Sequence, residues 1–362
     1  MSEGLGDVAG RVITARETSA NGGVIDVPIR SQFQHYSGKV YLPCFVVPDN
    51  RGSWREVGYE VDILSRVDWD AVDLSPMSDL ELNPFKIQDS HVSLNLDHVT
   101  AIEPLRAIST ADMRLDLAFM TRQLLDAVPN PWMAYQYIEE TITRLKGKQY
   151  TEAEIKRDLG FVIEELKKRI AAEVERLTKQ VFDSLLAGGE LRFYLIAGAA
   201  GSAIPDRIKA KAGARKLTTA LGDPLQRTLF DYYPEEDFNH TEQAVALYLD
   251  QQEDILEWWF RNNVNANSYS IQGWRRHRVY PDFIALRQGP PVVYVLETKG
   301  VHLKNLDTDY KKQLFELCNE QSQPTPWSEI LQDFSDHKLT FQIVFDDEWQ
   351  RVLNALLAPA KQ

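Results

Sequence analysis

Asp282, Glu297 and Lys299 are the residues of this 362-residue chain whose types and spacing suit joint chemistry. They stand at the ends of two apolar runs in RVYPDFIALRQGPPVVYVLETKG, residues 278–300, with a turn signal at Gly289-Pro290-Pro291 between them. Side chains at i and i+2 of a strand share a face, so Glu297 and Lys299 project together while Thr298 turns away. Asp282, fifteen residues upstream, falls on the predicted neighbouring strand. An acid and a lysine on one face, beside a second acid, are expensive to desolvate unless a metal ion or a substrate compensates them. Two carboxylates and a lysine so arranged suit metal-dependent cleavage of a phosphodiester. The alternative is that polar residues merely end a buried strand.

Neither half of this pattern is informative alone. Pro-Asp also occurs at Pro48-Asp49 and Pro205-Asp206, and acid-x-Lys at Glu154, Glu165, Asp309 and Asp336. Only Asp282 with Glu297 puts both halves on predicted adjacent strands. A third carboxylate comes from the preceding helix, predicted over Thr241 to Arg261, where Glu242, Val245, Leu249, Leu256 and Trp259 fall on one face. Glu242 also suits the first turn of a helix capped by Asn239 or Thr241.

The elements that must hold these residues run helix, three strands, helix, strand: Thr241–Arg261, Tyr269–Trp274, Arg278–Leu286, Val292–Gly300, Thr308–Glu320 and Leu339–Asp346. Three successive strands imply a meander, and the later helix crosses to a further strand, giving a mixed sheet flanked by helices. Upstream, residues 1–35 read as a loose segment and 36–108 as a β-rich domain built on KVYLPCFVVPD, REVGYEVDIL and HVSLNLDHVTAIEPL. Residues 109–190 read as helical: Ala111–Val128, Trp132–Lys146, and a long segment from Thr151 whose apolar stripe runs from Ile155 to Leu185, opened by a Thr151–Glu154 capping box. Residues 191–233 comprise a strand, LRFYLIAG, a glycine-rich turn and a basic linker, RIKAKAGARK. The turn lacks the Gly-Lys-Ser/Thr ending of a phosphate loop, so no ATP site is expected. The last segment, 234–362, carries the candidate site.

Composition bounds the class. The net charge of -13 argues against a nucleic-acid partner, but its distribution argues the other way. Pro234 to Phe260 holds eight acids and no Lys or Arg, whereas Arg261 to Lys312 holds nine Lys or Arg against four acids. Cys44 and Cys318 are the only cysteines, and neither has a second ligand nearby in sequence, so neither a disulfide framework nor a zinc site is indicated. The sequence holds no apolar run of the roughly 18 residues a membrane span needs and no signal peptide, so a cytoplasmic protein without membrane contact is expected. The tryptophans at 258, 259 and 274 read as core, and the histidines show no ligand spacing.

Pro281-Asp282 and Glu297-Thr298-Lys299, with the helix acid Glu242, resemble the PD-(D/E)-x-K nuclease superfamily. HTEQAVALYLD, WWFRN, GWRRHRVYPDFIAL and YVLETKGVHLKNLDTDYKKQLFE together look like the C-terminal endonuclease domain of type III restriction enzyme restriction subunits, over about residues 235–347. A weaker likeness, in YLPCFVV and VDILSRVDWDAVDL, extends to the region joining motor and nuclease. The resemblance implies a restriction-endonuclease-like αβββαβ core and a magnesium-dependent DNA endonuclease, with manganese able to substitute. It implies metal ligands at Asp282, Glu297 and the Thr298 carbonyl, and catalytic roles for Glu242 and Lys299. Lys299 is either general base or charge stabiliser; orientation of the attacking water with charge stabilisation is the favoured role. Tyr310 and Lys311, with Arg278 and Lys304 from the basic segment, are the expected nucleic-acid contacts. The family's helicase-type motor is missing from this sequence: either the chain is the C-terminal piece of a longer system, or it is a stand-alone effector that takes its motor or recognition from a separate subunit of a restriction-like phage-defence system, with an oligomeric assembly a further expectation. The alternatives are a non-catalytic nucleic-acid-binding or scaffold subunit, and a nuclease for branched DNA or RNA.

Overall fold

A computed structural model describes residues 23–37, 40–82, 115–196, 204–265, 268–289, 292–300, 306–323 and 338–358. The chain divides into two compact units, Gly58–Gly188 and a second assembled from the residues on either side of it. Its described residues are mixed α/β, with three small sheets.

Three strands precede the helical unit: β1 (Val24–Pro28), β2 (Cys44–Pro48) and β3 (Trp54–Glu56). The sequence predicts a loose segment at Val24–Pro28; it is instead a strand, paired antiparallel with a partner far downstream in sequence, Val24 opposite Lys211 and Pro28 opposite Arg207. Local pattern does not reveal so distant a partner.

The described residues of the unit Gly58–Gly188 are helical. Its helices are α1 (Leu117–Leu124), α2 (Pro131–Gly147), α3 (Glu152–Arg157) and α4 (Leu159–Ala187). Side-chain caps start the first three: Asp116 accepts from Phe119 N–H, Asn130 accepts from Trp132 N–H with Pro131 at the first helical position, and Thr151 with Glu154 closes a capping box. Met120, Leu124, Ile138, Ile142, Val162, Leu166 and Ile170 meet in one core. The expected single long helix is broken at Asp158, where ψ rises to 18° and the buried carboxylate takes Arg157 as its partner at 3.0 Å. The stripe survives the break because both flanking helices turn the same apolar side to that core. The strands expected through residues 55–64 are largely absent: Tyr59–Asp79 is a series of short helical turns. Their acids bond to backbone: Asp62 accepts from Gly58 N–H at 2.7 Å and Asp68 from Asp70 N–H at 3.1 Å, closing turns where a ladder would need free amides. The last strand expected in the β-rich domain, from His91 on, lies outside the described residues.

The second unit continues with β4 (Arg192–Tyr194) and β5 (Arg207–Lys211), then α5 (His240–Asp250), β6 (Leu256–Arg261), β7 (Phe283–Arg287), β8 (Val292–Lys299), α6 (Leu306–Ser322), β9 (Lys338–Phe345) and α7 (Trp349–Leu357). β1 pairs with β5, β2 lies between β3 and β4, and a four-stranded sheet has the order β6-β7-β8-β9. The first two pairings of that sheet are antiparallel and the last is parallel, so α6 makes the crossover from β8 to β9. The order helix, three strands, helix, strand matches expectation, but its members differ. The helix ends at Asp250, and Leu256 and Trp259 belong to the first strand rather than to the face of Glu242. Tyr269–Trp274, expected as that strand, contributes only a bridge between Ile271 and Val279. Trp258, Trp259 and Phe260 are fully or almost fully buried, and aromatic residues in succession suit a pleat buried on both sides better than a helix. Trp274 is buried too. Phe193 of β4 packs edge-on against Phe341 of β9, with ring centroids 5.9 Å apart.

Candidate active site

The site begins with strand register. Phe283 of β7 faces Leu296 of β8, so one step further Asp282 comes alongside Glu297, and Asp282 N–H donates to the Leu296 carbonyl at 2.9 Å. β8 is buried from Val293 to Thr298 and emerges at Lys299, which places its polar end at a cavity mouth. Asp282 Oδ2 accepts both the backbone N–H and the hydroxyl of Thr298, each at 2.6 Å. Those two bonds fix the carboxylate against β8 and leave Oδ1 without a hydrogen bond among the described residues.

Glu297 is 2 % exposed. The period of two brings Lys299 back to it: Lys299 Nζ lies 3.1 Å from Glu297 Oε1. Lys311, on α6, is nearer, at 2.7 Å from the same oxygen. Oε2 is buried with no hydrogen-bond partner. Burial, and then the charge of Asp282, push the Glu297 carboxyl up to about 7, against the opposing pull of Lys311 and Lys299. Burial alone would lower the Lys311 ammonium, but Glu297 and neighbouring hydrogen bonds carry it above its ordinary value. The arrangement is two cations on one oxygen of a buried acid, with the second oxygen unpaired.

Around these residues lies a cavity of about 580 Å³. Glu242, Arg278, Asp282, Glu297, Lys299 and Lys311 all line it. Glu242 reaches it from the first turn of α5, where its Oε2 accepts the Asn239 N–H at 3.2 Å and an Arg261 N–H at 3.0 Å. One oxygen is thus committed to the capping box and to an ion pair. Arg278 is held by Glu56 of β3, at 2.5 Å.

One expected contact lies elsewhere. Tyr310 is 3 % exposed and absent from the cavity wall; it packs edge-on against Trp274 at 4.9 Å, with the Arg275 guanidinium 4.5 Å above its ring. On α6 it occupies the side turned inward while Lys311, the next residue, faces the cavity. Lys304 lies outside the described residues. Asp346 and Tyr280 also line the cavity, though neither is among the expected site residues. Asp346 follows the apolar run of β9 as Glu297 follows that of β8, so the sequence carries the same signal at both strand ends. Asp346 N–H donates to the Lys299 carbonyl at 2.9 Å, tying the two strand ends together. Asp307, 3.9 Å from Lys299 and 3.8 Å from Lys311, carries no sequence signal.

No protein-family model, curated protein or solved structure matches the chain. Among the described residues no group of three or more His, Cys, Asp or Glu side chains is arranged to hold a metal ion. The ligand set implied by the resemblance, two carboxylates and one backbone carbonyl, is of a different composition. Among the same residues no helix is long and apolar enough to cross a membrane.

Proposed function

We propose that the cavity hydrolyses phosphodiester bonds of DNA, and that the unit from α5 to β9 is a restriction-endonuclease-like core serving as the nuclease module of a restriction-like defence system with its motor on another subunit. The observation that carries this reading is Glu297: a fully buried acid beside a second acid, with one oxygen clamped by two lysines and the other unpaired. A buried carboxylate oxygen left without a partner is costly, and that cost points to an absent ligand.

A hard divalent cation fits that gap. Magnesium is commonly held by one or two carboxylates with retained waters and a substrate phosphate oxygen, and Glu297 Oε2, Asp282 Oδ1 and the Thr298 carbonyl are oxygen donors of the right kind. When bound, such an ion supplies neutralisation of charge on the phosphate and a lower pKa for water. The residues do the rest. Asp282 is held in one orientation by the two Thr298 bonds. Lys299 orients the attacking water and stabilises charge developing on the phosphate oxygens. Water adds to phosphorus as the bond to the leaving oxygen breaks, with one proton lost by the water and one gained by the leaving group. Glu242, fastened through Oε2 to Asn239 and Arg261, forms the wall at the α5 end. Manganese is expected to replace magnesium.

A second reading, a non-catalytic nucleic-acid-binding subunit, is favoured by the ion pairing of Glu297 with Lys299 and Lys311, which is also what an inert buried ion cluster looks like. The two readings separate in one assay. Supercoiled plasmid is incubated with the chain in magnesium, in manganese, and in EDTA. The enzymatic reading expects nicked or linear product only with a divalent cation; salt-sensitive binding without cleavage in any of the three, with or without partner subunits, supports the other.

A further inference from the structure

Arg278 is built as a phosphate fork, and its anchor comes from the far end of the sequence. Its Nη1 donates to Glu56 Oε1 at 2.5 Å and to Ser270 Oγ at 3.1 Å. Among the described residues its Nε and Nη2 have no partner, although the side chain is only one-third exposed and forms part of the cavity wall that holds Asp282 and Glu297. One end of the guanidinium is therefore fastened and the other edge is left for an acceptor. The buried thiol of Cys44, on β2, is pushed up to about 12 by burial first and by Glu56 second, with Arg278 opposing.

We infer that Glu56 is a positioning residue for Arg278, which presents its Nε–Nη2 edge to a backbone phosphate of the nucleic acid in the cavity. This rests on the nuclease reading above and extends it to the contact that seats the substrate. The chemistry is bidentate: a planar guanidinium offers two parallel N–H donors that match two phosphate oxygens, which a lysine does not. Unanchored, the side chain would have to be ordered by the ligand, and that ordering costs affinity. The anchor makes β3 part of the site, although it lies 222 residues before Arg278.

Binding of a short fluorescent duplex DNA, followed by anisotropy in EDTA so that no cleavage intervenes, tests this. Arg278→Lys, which keeps the charge, is expected to weaken binding on the order of tenfold with the salt dependence unchanged. Arg278→Gln is expected to reduce the slope of log affinity against log salt by about 0.9, the loss of one phosphate contact. In a Glu56→Ala background the cost of Arg278→Lys should shrink to less than about twofold, because a loose guanidinium has little advantage over an ammonium. Glu56→Gln, which preserves the acceptor, should retain most of that cost. Thermal melts of each variant establish that it is folded. An undiminished Arg278→Lys cost in the Glu56→Ala background removes Glu56 from the account, and equal binding by Arg278→Lys and Arg278→Gln overturns the fork. Both results leave the nuclease reading intact; absence of binding by the unaltered chain overturns the phosphate contact, while cleavage in magnesium decides the nuclease reading separately.

Discussion

At the scale of the residue, Glu297 is the group on which the chemistry turns. Its carboxyl, held at about 7 by burial and by Asp282, lies above the ordinary 4.5. A folded-state value above the unfolded one means that the stability this group contributes is present below about pH 4.5 and is lost as pH rises through about 7, a loss of about 3 kcal/mol if the whole shift counts. Glu297→Gln escapes that loss. The difference in melting temperature between variant and unaltered chain should therefore move in favour of the variant between about pH 5 and about pH 8. A difference that stays constant over that range contradicts the burial argument. Activity should run the other way, since a protonated Glu297 offers Oε2 poorly to a cation. Cleavage is expected to rise with pH through about 7, and Lys311→Met, which removes the nearest opposing charge, should move that limb upward by about one pH unit or more. An unmoved limb in a pH–rate profile would separate Lys311 from Glu297.

At the scale of the element, the site depends on α6 being seated correctly, because Lys311 comes from it while Lys299 comes from β8. Gly273 is the close approach that seats it. A Cβ there would meet Tyr310 Oη at 2.5 Å and Leu314 Cδ1 at 3.0 Å. Tyr310 cannot retreat, being enclosed by Trp274 and Arg275. Gly273→Ala is expected to destabilise by about 1–3 kcal/mol, measured by urea unfolding, and to depress cleavage more than its effect on stability accounts for. Unchanged stability would show that α6 is not held by this contact.

The same scale explains what is legible in the sequence. Asp282, Glu297 and Lys299 can be read there because strand period and register are local properties, and a strict alternation leaves no choice of face. The boundary between α5 and β6 cannot. DQQEDILEWWF contains neither Gly nor Pro, and Leu249 and Leu256 keep a helical spacing across the junction, so only the aromatic run hints at the change to a strand. Tyr310 is misplaced by sequence for a related reason: adjacent residues on a helix point about 100° apart, and only the packing of Trp274 decides which of Tyr310 and Lys311 turns inward. The Glu56–Arg278 pair has no signal, since nothing in local sequence joins residues so distant.

At the scale of the whole molecule, the unit that carries the site is not a C-terminal block. Tyr269 Oη donates to the Pro43 carbonyl at 2.7 Å, and both groups are buried. Phe45 and Val46 of β2 are fully buried, and β5 has its only sheet partner in β1 among the described residues. A fragment beginning at Gly189 would lose β1, β2 and β3 and expose that core. It is expected to lack a cooperative thermal transition by circular dichroism, whereas a sharp transition would mean that the N-terminal strands are accessory. Site and fold thus share the same early residues, since β3 supplies the anchor for Arg278.

The central claim is that Asp282, Glu297 and Lys299 carry out hydrolysis. It is tested most directly by following magnesium-dependent nicking of supercoiled DNA by the unaltered chain, Asp282→Ala and Lys299→Ala, with the partner subunits present if the chain is silent alone. Nicking is predicted for the unaltered chain, with a loss of at least about a hundredfold in each variant while the fold stays intact. Equal nicking by all three would contradict it.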